Sequence, residues 1–136
     1  MLALWRCDKK KLTDLKHVYF LLDSLPEQIN MTKIAPPQVI SFPGKEGSFD
    51  KGGISAFVLI AESHITIHTF EEQEHAFVDI FSCKEFNIDK AIKILIGAFD
   101  AKSYKKRVTD RGEEFPKEIP IVVNIVKEER EEITQT

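Results

Sequence analysis

Ser63, His68 and Cys83 are the side chains best suited to covalent chemistry in this chain. Ser63 belongs to the triplet Glu62-Ser63-His64. His68 follows in the same run, and Cys83 closes "HAFVDIFSC", residues 75–83. A hydroxyl nucleophile, an imidazole base and a thiol can together support acyl transfer or proton transfer. Their setting is unusual, because "LIAESHITIHTF", residues 59–70, otherwise reads as buried strand. Polar groups in such a place need hydrogen-bond partners or a reaction to serve.

Bland roles are open to each of them. A serine in a strand usually bonds a neighbour, a strand histidine is commonly a partly buried packing residue, and a cysteine after Phe-Ser can simply be small and apolar. A Ser-His hydrolase is a second reading, but no Gly-x-Ser-x-Gly elbow is present and Asp79 is the sole nearby orienting carboxylate. A zinc site built on His64, His68, His75 and Cys83 fails on spacing. Four strand residues separate His64 from His68 by about 13 Å, too far to share one ion.

The elements that must position these residues follow from periodicity. "LALWRC", 2–7, reads as a short strand, and Asp8 can cap a helix whose apolar face is Leu12, Leu15, Val18, Tyr19, Leu22 and Leu25, ended by Pro26. "QVISF", 38–42, is a strand, followed by the loop "PGKEGSFDKGG", 43–53. "ISAFVLIA", 54–61, is nearly all apolar and predicts a strand buried on both faces. Residues 64–70 alternate, with Ile65, Ile67 and Thr69 on one side and His64, Thr66, His68 and Phe70 on the other.

A polar turn at 71–74 returns the chain through 75–83, so 64–83 predicts a hairpin. A register pairing Phe70 with His75 sets His68 opposite Phe77 and Glu62 opposite Cys83. Ser63 and His68 then have opposite parity, and the chain must kink near 62–64 if they are to cooperate. A second helix spans 87–99, capped by Asn87, with Ile88, Ala91, Ile92, Leu95 and Phe99 facing inward. Strands at 103–109 and 119–126 and a charged tail complete the chain. The sum is an α+β fold, a two-layer sandwich of a mostly antiparallel sheet with two helices on one face. The other sheet face needs a cover, and a homodimer stacking two sheets would supply one.

The 136 residues suit one domain, 1–136, and a 43% hydrophobic content is enough for a core. A net charge of −3 argues against nucleic acid as the main partner. No run is apolar enough for a membrane span, and no signal peptide opens the chain. Two cysteines, Cys7 and Cys83, fit free thiols in a cytoplasmic protein.

"GGISAFVLIAESHITIHTF", continued by "AFVDIFSC" and an amphipathic helix, resembles the bacterial and archaeal S-adenosylmethionine decarboxylase family. The matching motifs are Glu62-Ser63-His64, the His68-Thr69 strand and Asp79-Ile80-Phe81-Ser82-Cys83. Departures are Phe70-Glu71-Glu72 where the family has Trp-Pro-Glu, and Lys84 after Cys83 where glycine is common. The resemblance implies a precursor cut between Glu62 and Ser63, with His68 as the processing base. The serine remnant becomes a pyruvoyl group, a covalent cofactor derived from Ser63. Its ketone takes the substrate amine as a Schiff base and serves as the electron sink for decarboxylation.

By the same resemblance Cys83 is the proton donor, and Phe49 and Glu72 line the pocket for the S-adenosylmethionine sulfonium. Phe49 could equally be a loop anchor and Glu72 a solvated turn residue. The implied product is the aminopropyl donor for spermidine. Alternatives are an arginine or ornithine decarboxylase of the same fold, or a non-processing homologue acting as a regulatory or partner subunit. No metal is expected.

Overall fold

The computed structural model describes residues 1–48 and 51–110. The elements run β1 (Leu2–Trp5), α1 (Lys9–Thr13), α2 (Leu15–Gln28), β2 (Gln38–Phe42), β3 (Gly53–Ile60), β4 (Ser63–Phe70), β5 (His75–Ser82), α3 (Ile88–Phe99) and β6 (Ser103–Lys106). Phe49, the expected strand 119–126 and the tail lie outside the described residues.

Among the described residues, six strands form one sheet in the order β2-β3-β4-β5-β1-β6, and each of its ladders is antiparallel. β2 to β5 form a meander. β1 then fills the slot between β5 and β6, which ties the start of the chain to the strand after α3. The core lies between one sheet face and the helices. It draws Leu2 and Leu4 from β1, Val58 from β3, Ile65 and Ile67 from β4, and Leu22 and Leu95 from the helices. The expected α+β sandwich is therefore the architecture found.

Two expectations need correction. The first helical run is two helices, because Asp14 leaves helical geometry at φ −85° and ψ 102°. Asp8 caps α1 through the Lys10 amide, and Asp14 caps α2 through the His17 amide at 3.1 Å. The break resets the phase, so Leu15 is exposed and Leu21 takes an inward position. Pro26 sits within the last turn of α2 and does not end it.

β3 is not buried on both faces. Ile54, Ala56, Val58 and Ile60 point into the core, while Phe57 and Leu59 are 41% and 43% exposed on the open face. Its unbroken apolar run comes from an apolar open face, which also carries Trp5 and Phe77.

Two details fix β4 against its neighbours. Gly53 has φ +157°, and a Cβ there would lie 1.8 Å from the Thr69 carbonyl oxygen, so only glycine fits. The buried Thr69 hydroxyl donates to the Leu12 carbonyl and accepts from the Ile54 amide, both at 2.8 Å. One side chain thus joins α1, β3 and β4.

Candidate active site

The β4–β5 hairpin has the predicted register: Phe70 opposes His75, His68 opposes Phe77 and Ser63 opposes Ser82. At its open end β3 passes into β4 through Ala61 and Glu62 alone, and Ile60 pairs with Ser63 across that turn. Beyond the ladder, the Cys83 amide donates to the Glu62 carbonyl at 3.0 Å. Glu62 and Cys83 therefore meet as the register required. The carbonyl of the Glu62–Ser63 peptide, the group a serine attack would need polarised, already carries a hydrogen-bond donor.

The backbone turns abnormally at this point. Ser63 has φ +152°, a value that residues with a Cβ rarely adopt. Adjacent strand residues normally point to opposite faces. Here Ser63 Oγ nevertheless lies 3.4 Å from Nδ1 of His64, its own neighbour. The kink expected near 62–64 is present, and it turns Ser63 toward His64, whose role sequence reasoning missed. Adjacency in a regular strand argues against such a contact, and only the irregular φ permits it. In the tautomer protonated at Nε2, Nδ1 of His64 can accept the Ser63 hydroxyl proton. The His64 ring stands edge-on to Phe81 at 5.5 Å.

His68 is not brought to Ser63 within one chain. Five residues of strand separate them, about 16 Å. Its Nδ1 lies instead 3.1 Å from Ser55 Oγ on the open face. Glu72 is exposed in the turn 71–74, farther still from the junction. The candidate residues thus divide between the two ends of the hairpin: Glu62, Ser63, His64 and Cys83 at one, His68 and Glu72 at the other.

The two thiols differ. Cys83 is exposed at the junction. Cys7 is buried, and burial, reinforced by the Glu74 carboxylate, pushes its thiol up to about 11, so it stays protonated and inert. A cleft of about 1140 Å³ opens beside Cys83 and runs along β5 past Phe81, Asp79 and Phe77 to His68, room enough for a ligand of nucleoside size. Among the described residues no cluster of histidine, cysteine and carboxylate groups could hold a metal ion. No described helix is long and apolar enough to cross a membrane.

The sheet and its helices define an α+β sandwich that gathers Glu62, Ser63, His64 and Cys83 at the mouth of a hairpin. The chain belongs to the S-adenosylmethionine decarboxylase family, whose model matches residues 1–112.

Its relatives carry two names. An S-adenosylmethionine decarboxylase proenzyme of Sulfurisphaera tokodaii is 32% identical over 83% of this chain and 86% of its own. An arginine decarboxylase proenzyme of Caldivirga maquilingensis is 31% identical over 79% of this chain and 78% of its own. The proenzyme of Archaeoglobus fulgidus is 42% identical, and there the match spans 47% of this chain and 58% of the relative's length. The crystal structure of the adenosylmethionine decarboxylase from Aquifex aeolicus superposes with a TM-score of 0.67 at 28% identity, covering 86% of this chain and 90% of that one. The family is one of decarboxylases, and these relatives are named for two different substrates.

Proposed function

We propose that the chain is a precursor that cuts itself between Glu62 and Ser63 and then acts as a pyruvoyl-dependent S-adenosylmethionine decarboxylase, in the cytoplasm, supplying the aminopropyl donor for spermidine. The observation that carries this reading is the 3.0 Å hydrogen bond from the Cys83 amide to the Glu62 carbonyl, beside a serine held at φ +152°. The proenzyme names of the relatives support it.

The cut balances as follows. Ser63 Oγ gives up its proton and bonds to the Glu62 carbonyl carbon. The oxyanion that forms is held by the Cys83 amide. The carbon–nitrogen bond then breaks, and the Ser63 nitrogen takes a proton and becomes a free amine. An ester now joins the two pieces. Loss of the Ser63 α-proton expels the Glu62 carboxylate. The dehydroalanine left behind tautomerises to an imine, and water replaces its nitrogen as ammonia. A ketone results at position 63.

The site suits such a group. Position 63 opens β4 opposite Ser82, so the ladder holds the new terminus in place, and residue 83 follows directly on β5. When formed, the pyruvoyl group supplies an electron sink for decarboxylation. Cys83 returns a proton to the carbon that loses carbon dioxide, a role supported by its exposed thiol beside the cleft. Aromatic side chains along that cleft, Phe70, Phe77 and Phe81, offer faces to a sulfonium.

His68 and Glu72 fit the reading only if a second copy supplies them. A homodimer stacked through the open sheet face would carry the far end of one hairpin toward the junction of the other. In that arrangement His68 of the partner subunit takes the Ser63 proton, Glu72 of the partner subunit faces the sulfonium, and His64 orients Ser63 Oγ within its own chain. Phe49 is proposed to contact the substrate, as the resemblance implies.

A second reading, arginine as substrate, is favoured by the Caldivirga maquilingensis relative. Carbon dioxide release from S-adenosylmethionine, arginine and ornithine, each offered alone to the purified protein, tests the choice. Release from S-adenosylmethionine supports the first reading. Release from arginine alone replaces it. A chain that stays whole and releases nothing from any of the three is a non-processing subunit.

A further inference from the structure

We propose that residues 30–34 form a strap that holds the Glu62 carbonyl in position for the cut, with the Glu62 side chain as its fastening. This rests on the self-cutting reading above. The turn between β3 and β4 has only two residues, and a free turn of that length could rotate its last peptide. Here Glu62 is held twice, by different segments. Its backbone carbonyl accepts from the Cys83 amide. Its side-chain carboxylate accepts from the Thr32 amide through both oxygens, at 3.1 and 3.2 Å. Ala61 is fixed as well, donating its amide to the Thr32 carbonyl at 2.8 Å. The peptide that must be attacked therefore lies between two anchors and cannot turn its carbonyl away from Cys83 without breaking one of them.

The strap is itself secured. The Ile34 amide donates to the Leu59 carbonyl at 3.1 Å, and Lys33 bridges to Ile60. Met31 is buried in the core, and its amide bonds the Pro26 carbonyl at 2.8 Å, so the strap continues rigidly from the end of α2. Lys33 also pairs with Asp23 on that helix. From the other side the Lys84 ammonium donates to the Asn30 carbonyl, joining the strap to the residue after Cys83. These contacts bring the strap, the cut peptide and the exit of β5 into one frame.

A merely structural turn would need none of this alignment with Cys83. The reaction does, since displacement of reacting atoms by about an ångström costs on the order of a hundredfold in rate. Glu62 is thus a positioning residue, and its effect is confined to ester formation.

The test follows self-cutting by intact mass in fresh protein for wild type, Glu62→Gln, Glu62→Ala and Lys84→Ala. Thermal unfolding of the same changes on an uncuttable Ser63→Ala background separates rate from fold. The amide of Glu62→Gln keeps an acceptor for Thr32, and its rate should stay within about threefold of wild type. Glu62→Ala loses the fastening and should cut at least tenfold more slowly, the scale of a lost charge-assisted hydrogen bond.

Hydroxylamine, which cleaves esters, should not speed the Glu62→Ala chain, because the ester forms slowly. Lys84→Ala should fall between wild type and Glu62→Ala. Glu62→Ala cutting at the wild-type rate, Gln failing as badly as Ala, or a slowing that only tracks a lower melting temperature would each overturn the strap while leaving self-cutting intact. A wild-type chain that never cuts would remove the reading beneath it.

Discussion

Ser63 combines three features rarely found together: a hydroxyl, a backbone φ of +152° and a preceding carbonyl already hydrogen-bonded. Ser63→Ala should leave a folded chain of one piece, seen as a single mass with an unchanged melting temperature. In the proposed mechanism Cys83 contributes twice, through its amide to the cut and through its thiol to turnover, and one substitution separates the two. Cys83→Ala keeps the amide, so cutting should proceed. Decarboxylation should fall by about a hundredfold or more, the usual worth of a general acid. Equal turnover would remove the thiol from the mechanism.

At this scale the sequence was legible where chemistry is local. The meeting of Glu62 with Cys83 follows from the period of two and the length of the turn. The contact of Ser63 with His64 was not legible, because it depends on a dihedral angle that no residue type announces.

The sheet elements are held by a few buried polar groups. Thr69→Val removes a hydroxyl that both donates to Leu12 and accepts from Ile54, leaving two buried backbone groups unpaired. A loss of about 2–3 kcal/mol in unfolding free energy is expected, measured by denaturant titration. His75 is buried among Trp5, Phe70 and Phe77, the nearest ring at 4.3 Å. Burial lowers its pKa from the ordinary 6.5, and a hydrogen bond with the Leu4 backbone offsets this in part.

A lowered histidine pKa means that the unfolded chain binds the extra proton first, so stability falls as pH drops below about 6.5. Cys7 acts at the other end of the scale. Its raised pKa makes the folded state hold its proton longer, so stability falls as pH rises from 9.0 through about 11. His75→Phe should flatten the acid limb of a melting-temperature profile and leave the alkaline limb unchanged. The hairpin and α3 could be read from alternation and capping. The split at Asp14 could not, because a single residue leaving helical geometry resets the phase of everything after it.

For the whole molecule the governing feature is the open sheet face, apolar at Phe57, Leu59, Phe77 and Trp5 and carrying His68. An apolar run in β3 looked like burial on both sides because periodicity records apolarity without saying what covers it. If the cover is a second copy, complementation in trans follows. Ser63→Ala and His68→Ala chains, each uncut alone, should yield cut His68→Ala chains when coexpressed, because each such chain keeps Ser63 and borrows a histidine. No cutting in the mixture would confine the machinery to one chain, and His68→Ala cutting unaided would pass the base role to His64.

The most direct measurement for the account as a whole is the denaturing mass of freshly purified wild-type protein. Two pieces of 62 and 74 residues, the larger reactive toward carbonyl reagents, are the predicted result. One unbroken mass of 136 residues that stays whole on prolonged incubation, with no carbonyl to label, would contradict it.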